Sequence, residues 1–200
     1  MTRWYQEKKK EHFYKQAKKE GYRARSAYKL LQIQKRFHLI SPGDLVVDLG
    51  AAPGGWSQIA HSLVQPNGFV VGVDLETIKP FEDVVFIRGD MTKDETIQAI
   101  LQTVDFRPVN VVLSDMAPDI SGNYSMDHAR SIYLCNQALK TAQTVLVKNG
   151  SFACKVFMGD MLQDFVSEVK GLFKQVKQFS PKASRKSSSE QYIIARSYKC

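Results

Sequence analysis

A lysine and an aspartate stand in stretches of the sequence that are otherwise apolar. Lys155 interrupts the run 152–157, and Asp115 closes a run that begins at Val109. A buried ammonium group is costly unless it is paired with a carboxylate or loses its proton. If the two runs are neighbouring strands, both side chains reach one edge of the sheet, where a neutral lysine amine can accept a proton. The alternative is a lysine on an edge strand whose head reaches water, which is commoner for a single lysine.

A turn rich in glycine and alanine, residues 48–56, connects a predicted strand to a predicted helix. Its sequence is DLGAAPGGW, and its three glycines and two alanines let a ligand approach the backbone closely. A plain turn from a strand to a helix needs only one or two glycines. The spacing G-x-x-x-G-G differs from the G-x-G-x-x-G fingerprint of dinucleotide-binding proteins, which argues against a nicotinamide cofactor and an oxidoreductase.

Two further aspartates end predicted strands. Asp74 ends the strand 69–74, where a carboxylate can accept hydrogen bonds from both ribose hydroxyls of a bound nucleoside. Asp90 follows the strand 84–87, where it can accept a hydrogen bond from an adenine amino group. Each aspartate alone is more often a turn residue. Together with the turn 48–56 they predict an adenosine site.

Strands and helices alternate along the chain, which predicts a mostly parallel sheet covered on both faces. Ligands of such sheets bind beyond the carboxyl ends of the strands. No linker divides the chain, so we expect a single domain. Strands are predicted at residues 45–49, 69–74, 84–87, 109–113, 151–157, 173–179 and 191–198. Helices are predicted at residues 3–20, after a cap at Ser26, and at residues 56–64, 94–103, 127–147 (ended by Asn149-Gly150) and 160–172.

Positive charge is concentrated at the two ends of the chain. The formal net charge is +8, of which residues 1–25 and 174–200 carry +6 each and residues 26–173 carry −4. Both ends also contain aromatic residues. This combination favours a nucleic-acid partner over a solvated basic tail.

Composition argues against several classes of protein. The three cysteines, Cys135, Cys154 and Cys200, are widely separated and belong to no CxxC motif, which argues against a disulfide framework and against a zinc site. We predict no metal site. No apolar run approaches the ~20 residues that span a bilayer, and the first residues lack the apolar stretch of a signal peptide. We expect a cytoplasmic protein without a membrane partner.

Five motifs resemble, in order, those of the FtsJ/RrmJ family of ribosomal RNA 2′-O-methyltransferases, and the resemblance extends from about Tyr22 to Ala195. They are Tyr28-Lys29-Leu30, residues 48–56, residues 114–118, Lys155-Val156-Phe157 and the run from Ser184 through Glu190 to Tyr192. The resemblance implies the doubly wound, seven-stranded, Rossmann-like α/β fold of class I methyltransferases in residues 26–200, with S-adenosylmethionine as cofactor. It implies a catalytic tetrad of Lys29, Asp115, Lys155 and Glu190, and cofactor contacts by Gly54, Trp56, Asp74, Asp90 and Asp115. Asp119 departs from the pattern, since bacterial members carry asparagine there.

The resemblance implies methyl transfer to a ribose 2′-hydroxyl, expected to be that of a uridine in large-subunit ribosomal RNA. Lys155 would be the general base and Asp115 its orienting partner, while Lys29 and Glu190 position the hydroxyl. We expect a monomer that binds the large ribosomal subunit or its precursor, with residues 1–25 as an RNA-binding segment. Two alternatives are 2′-O-methylation of a tRNA anticodon loop and a non-catalytic RNA-binding assembly factor. Loss of a tetrad residue would indicate the latter, and all four are present.

Overall fold

A computed structural model describes residues 14–184 and 189–199 of the chain. Helix α1 is described over residues 14–19. The later helices are α2 (Ala27–Phe37), α3 (Gly55–Val64), α4 (Asp94–Thr103), α5 (Tyr124–Val145) and α6 (Leu162–Leu172). The strands are β1 (Leu45–Leu49), β2 (Phe69–Asp74), β3 (Val84–Arg88), β4 (Val109–Ser114), β5 (Leu146–Phe157), β6 (Phe173–Phe179) and β7 (Glu190–Tyr198). None of the described helices is both long enough and apolar enough to span a bilayer.

The strands form one seven-stranded sheet in the order β3-β2-β1-β4-β5-β7-β6. The first five strands pair in parallel, whereas β7 runs antiparallel to both β5 and β6. The chain moves outward from β1 to β3 and then returns to β4, so the strand order reverses between β1 and β4. This confirms the predicted doubly wound, mostly parallel sheet. Ligands of such folds bind at this reversal.

Alternate residues of the central strands pack on opposite faces of the sheet. Val47 and Val112 contribute to a core with α5 and α6 on one face. Val46 and Val111 contribute to a core with α2 and α3 on the other face. Because helices cover both faces, the central strands are continuous apolar runs rather than alternating ones.

Helix α5 begins earlier than the sequence predicts, at Tyr124 instead of residue 127. The Asn123 side chain accepts a hydrogen bond from the main-chain N–H of Met126 at 3.1 Å. This bond caps the helix one turn ahead of the predicted start.

The end of α5 was also predicted wrongly. The helix stops at Val145, and residues 146–150 already belong to β5, so Asn149-Gly150 lies in the strand and does not end the helix. Leu146 pairs with Val109 and Ser151 with Val111, which leaves four residues of β5 bulging from the ladder. Asn149 accommodates the bulge with a φ of 67°.

The predicted cap at Ser26 is wrong, since its side chain makes no capping bond to α2. Ser26 has right-handed helical backbone angles, whereas a capping hydroxyl requires an extended residue. Its main-chain oxygen instead accepts a hydrogen bond from the Trp56 indole at 2.9 Å. The predicted helix 3–20 and the basic segment 1–25 lie mostly outside the described residues.

Candidate active site

Parallel pairing of three strands brings Asp115 and Lys155 together at the carboxyl edge of the sheet. Leu49 of β1 lies beside Ser114 of β4, and Ser114 lies beside Cys154 of β5. Asp115 directly follows β4, and Lys155 is the next residue of β5. The main-chain N–H of Asp115 also donates to the oxygen of Leu49 at 3.2 Å.

The antiparallel strand β7 supplies two more side chains. Lys155 pairs with Tyr192, and Phe157 pairs with Glu190. Side chains alternate along a strand, so Glu190 and Tyr192 lie on the same face of the sheet as Lys155.

Lys29 reaches the cluster from α2. Ala27, Leu30 and Ile33 recur at helical spacing and are fully buried in the same core as Tyr192, which holds the helix against the sheet. Lys29 itself is only 7% exposed. A charged side chain buried to this extent requires a partner.

The four residues of the predicted tetrad contact one another directly. Lys155 Nζ lies 3.0 Å from Asp115 Oδ1 and also donates to the main-chain oxygen of Asp115. Lys29 Nζ lies 2.6 Å from Glu190 Oε1 and 3.8 Å from Asp115 Oδ1. Glu190 Oε1 also accepts a hydrogen bond from Ser184 at 2.7 Å. Two lysines and two carboxylates therefore share one mostly buried site.

Tyr192 ends the last of the five sequence motifs, but it was not predicted from the sequence as a site residue. Its hydroxyl donates to Asp115 Oδ1 at 2.6 Å. Its ring stacks on Trp56 with centroids 5.5 Å apart, and Lys29 Nζ lies 5.7 Å from the ring centroid. The period of two along β7, which puts Tyr192 on the face of Glu190, is the signal that could have revealed it.

Neighbouring groups determine the ionisation of Asp115 and Tyr192. Burial raises the pKa of Asp115, but the charges of Lys155 and Lys29, together with the Tyr192 hydrogen bond, outweigh burial and hold it below its usual range. Burial, reinforced by the Asp115 charge, raises the pKa of Tyr192 well above its ordinary value. At neutral pH the carboxylate is thus charged and the phenol keeps the proton that it donates.

A cleft of about 320 Å³ adjoins the cluster beyond the ends of β1, β2, β3 and β4. Asp115 belongs to the cluster and also lines the cleft. The cleft is lined as well by Asp74, Asp90, Gly50 and Ala52. Gly50 has a φ of +73°, and a Cβ there would lie 2.6 Å from Met116 Cγ. Only glycine keeps this wall of the cleft open.

The two strand-end aspartates, Asp74 and Asp90, both line the cleft, and each is held by main-chain donors. Asp74 accepts hydrogen bonds from Ala52 N at 2.8 Å and from Glu76 N at 2.9 Å. Asp90 Oδ1 accepts from the main chain and the hydroxyl of Thr92, and these bonds lower its pKa below the usual value. The carboxylates are thus fixed in place with lone pairs left for a ligand.

Gly54 and Trp56, also predicted as cofactor contacts, are not among the residues that line this cleft. A Cβ at Gly54 would lie 3.1 Å from both Arg23 Nε and Phe81 Cε1. Arg23 Nε donates to the main-chain oxygen of Pro53 at 2.8 Å, which holds the glycine-rich turn from outside. Trp56 is buried beneath Tyr192. Gly54 thus lies beside Arg23 and Phe81, and Trp56 lies beside Tyr192; contact of either residue with a cofactor stays a prediction.

Asp48, at the centre of β1, is a fully buried carboxyl group. Its Oδ2 accepts a hydrogen bond from Ser57 at 2.7 Å, while its Oδ1 has no hydrogen-bond partner among the described residues. Burial, opposed by Ser57 and reinforced by the charges of Asp115 and Asp74, raises the pKa of Asp48 to about 7.

This pKa predicts how Asp48→Asn changes stability with pH. Between about pH 4 and pH 7 the unfolded chain loses a proton that the folded chain keeps, so parental stability falls by at most ~1.4 kcal/mol per pH unit. Asparagine removes this dependence. The free energy of unfolding of the variant relative to the parent should therefore rise from about pH 4 to pH 7 and stay constant above it.

Urea unfolding across this pH range measures the difference. Asp105→Asn, at an exposed residue whose φ of 54° asparagine tolerates, is the control and should show no such trend. An Asp48→Asn curve parallel to the parental one at every pH would contradict the prediction.

Known proteins resemble the chain over most of its length. A model of the FtsJ-like methyltransferase family matches residues 22–198. The chain is 53% identical over 187 residues to the ribosomal RNA large subunit methyltransferase E of Methanothrix thermoacetophila, covering 94% of this chain and 72% of that protein. It is 47% identical over 200 residues to the protein of the same name from Methanocaldococcus jannaschii, covering 98% of this chain and 82% of that protein.

A crystal structure described as a ribosomal RNA methyltransferase from Plasmodium falciparum superposes with a TM-score of 0.81 at 23% identity, covering 88% of this chain and 98% of that one. The sheet order, the cleft at the strand reversal and this likeness define the fold of a class I methyltransferase. The chain belongs to the FtsJ-like methyltransferase family.

Proposed function

We propose that the chain transfers a methyl group from S-adenosylmethionine to the 2′-hydroxyl of a uridine ribose in large-subunit ribosomal RNA. In this proposal it acts as a monomer in the cytoplasm, on the large subunit or its precursor. The names of the two archaeal relatives support the RNA class. The observation that carries the proposal is the buried cluster of Lys29, Asp115, Lys155 and Glu190 beside the cleft.

The cleft fits the adenosine part of this cofactor. Asp74 and Asp90 lie at the ends of neighbouring strands, as a ribose and an adenine amino group require, and small residues leave the wall open at Gly50. In our proposal Asp74 binds the ribose hydroxyls, Asp90 binds the adenine and Asp115 contacts the reacting end of the cofactor. Gly54 shapes the glycine-rich turn, and Trp56 supports the site beneath Tyr192. S-adenosylmethionine supplies, when bound, a methyl group on a positively charged sulfonium.

Lys155, rather than Lys29, is the base in this proposal. Lys29 pairs most closely with Glu190, at 2.6 Å, and neither of these residues lines the cleft. Lys155 contacts the carboxylate of Asp115, and the same oxygen also accepts a hydrogen bond from Tyr192. Asp115 also lines the cleft, so Lys155 is the lysine that lies beside the reacting end of the cofactor in this proposal.

Charge balance favours loss of one proton from the cluster. Two lysines and two carboxylates carry no net charge. Release of a proton from the cluster would therefore be favoured by the positive sulfonium of a bound cofactor. Asp115 then holds the neutral Lys155 amine through Oδ1 and the main-chain oxygen. The lone pair on Nζ accepts the proton of the ribose hydroxyl, while Lys29 and Glu190 position that hydroxyl.

The RNA phosphates are held, in our proposal, by the basic ends of the chain. Replacing Lys8, Lys9 and Lys10 with glutamine should weaken RNA binding, because fewer counterions are released. The slope of log affinity against log salt should fall by roughly 0.7–0.9 for each phosphate that the variant no longer neutralises. Cofactor affinity should be unchanged. Titration of labelled ribosomal RNA at several salt concentrations measures the slope.

The control is Lys148→Gln, which should keep the parental slope. Lys148 lies on the bulge of β5, at the end of the strands opposite the cluster. If the triple variant also keeps it, the N-terminal lysines bind no phosphate.

Mapping of 2′-O-methylated nucleotides in total RNA, with and without the gene, tests the proposed function. We expect one large-subunit uridine to lose its methyl group. A loss confined to a tRNA anticodon loop would favour that substrate, and unchanged methylation with a defect in subunit assembly would favour a non-catalytic factor.

A further inference from the structure

Two loops beside the catalytic cluster expose an unusual set of apolar side chains. Residues 116–123 follow β4 and lead into α5, and residues 158–161 follow β5. These loops and the first turn of α5 carry five large apolar residues that are each at least 44% exposed: Ile120, Tyr124, Met126, Met158 and Met161. Single exposed apolar residues are ordinary, but three on two adjoining loops and two more on the first turn of α5 indicate an interaction surface. We call these five residues the apolar rim.

Hydrogen bonds join the two loops into one surface. The Tyr124 hydroxyl donates to the main-chain oxygen of Met158 at 2.6 Å. The His128 ring lies between the loops, with Nδ1 3.1 Å from the oxygen of Phe157 and Nε2 accepting from the N–H of Met161 at 3.1 Å. The rim is therefore formed before any partner binds.

The Asp127 carboxylate fixes the first loop onto α5. It accepts hydrogen bonds from the N–H and hydroxyl of Ser121 and from the N–H of Gly122. These bonds lower the pKa of Asp127 below its usual value, so the carboxylate remains charged and bonded at neutral pH.

The rim continues directly from the catalytic cluster. Phe157 of β5 pairs with Glu190, and the next residue, Met158, donates its N–H to the oxygen of Ser189 at 2.8 Å. Lys155 is three residues before Met158 in the chain. A molecule that reaches Lys155 and Glu190 thus meets the rim at its border.

We propose that the apolar rim stacks the nucleobases that flank the target ribose. The inference rests on the proposed function and adds the surface that holds the bases. An aromatic face and polarisable thioethers suit unstacked bases, which proteins bind on aromatic and apolar side chains. Residues 116–128 and 157–161 contain no lysine or arginine, and Asp119 and Asp160 are exposed there. This charge repels phosphates, so bases rather than the backbone face the rim.

The test compares variants that remove or keep the stacking surface. Tyr124→Ala combined with Met158→Ala removes a ring and a thioether beside the cluster. Tyr124→Phe keeps the ring but loses the bond to the Met158 oxygen. Phe106→Ala removes a ring that is 68% exposed, against 60% for Tyr124, from the loop before β4 at the opposite end of the strands. Steady-state methylation of undermodified large ribosomal subunits is measured for each, with S-adenosylmethionine affinity in parallel.

We expect the double variant to raise the KM for subunits at least ~10-fold, as the loss of base stacking does, with kcat within about twofold and cofactor affinity unchanged. Its salt slope should match the parental one, because the rim neutralises no phosphate. Phe106→Ala should behave as the parent, and Tyr124→Phe should raise the KM by less than the double variant does, because it keeps the ring. Ultraviolet cross-linking of the parent to subunits should attach RNA to a peptide that contains Tyr124 or Met158.

Three results would overturn the inference: an unchanged KM in the double variant, an equal rise in Tyr124→Phe, or cross-links from the rim to ribosomal proteins alone. The second result would assign the effect to the hydrogen bond between the loops, and the third would make the rim a protein-binding surface. A parent that methylates no ribosomal RNA would instead contradict the proposed function, and cross-linking to RNA would still report on the rim.

Discussion

Lys155→Ala should lower single-turnover methyl transfer by ~10²–10⁴-fold, the usual loss when a general base is removed. The fold and the cofactor site should be retained. Asp115 keeps Tyr192 at 2.6 Å and Lys29 at 3.8 Å as partners, so its carboxylate remains charged. Undermodified large ribosomal subunits are the substrate, and S-adenosylmethionine affinity measured by calorimetry is expected to stay within about twofold of the parental value.

Lys155→Arg distinguishes a base from a positioning cation. A guanidinium group keeps its proton at any working pH, so the arginine variant should be nearly as inactive as the alanine variant. Lys140→Arg is the matched control, because Lys140 pairs with Asp94 on an exposed surface and should tolerate the change at full activity. Near-parental rates for Lys155→Arg would mean that Lys155 only holds the hydroxyl in place and that another group takes the proton.

The fold was largely predictable because its central strands are short apolar runs between turn residues. A strand covered on both faces has no polar alternation, and β1 and β4 have that pattern. Helix ends were less predictable, since they depend on single bonds. Asn123 caps α5 ahead of the predicted start, and the bulge of β5 accommodates Asn149-Gly150, which the sequence suggested as a helix stop.

The candidate site was predictable where a charged residue stands in an apolar stretch of sequence. Lys155 in an apolar strand and Asp115 at the end of another are costly to bury separately, so their types alone predict a pair. Tyr192 gives no such signal, because an aromatic residue in a strand usually belongs to the core. In the structure Tyr192 belongs to the core and also binds Asp115. Its hydrogen bond to Asp115 joins residues that are 77 positions apart, which the antiparallel pairing of β7 brings together.

The sequence shows a glycine at position 54, but it does not show which neighbouring atoms or backbone angles require a glycine there. The sequence predicts that the cofactor needs the space beside Gly54. In the structure, a Cβ at this position would lie 3.1 Å from Arg23 Nε and from Phe81 Cε1. The backbone imposes a second requirement, because Gly54 has a φ of +102°, which a β-branched residue adopts only with strain.

Gly54→Val should therefore weaken S-adenosylmethionine binding roughly 10- to 100-fold, since strain of ~1–3 kcal/mol is relieved by moving the turn. The turn includes Ala52, which lines the cleft and whose N–H binds Asp74 at 2.8 Å. Calorimetry measures the affinity, and the parent should bind S-adenosylmethionine but not NAD.

Gly43→Val is the matched control, because Gly43 also has a positive φ of +85° but has open space around it and precedes β1 at the opposite edge of the sheet. Both variants should lose thermal stability, since valine strains each backbone, but only Gly54→Val should lose cofactor affinity. Equal affinities in the two variants would show that the glycine-rich turn does not shape the cofactor site. In that event the cofactor contacts proposed for Asp74, Asp90 and Asp115 would not depend on the turn.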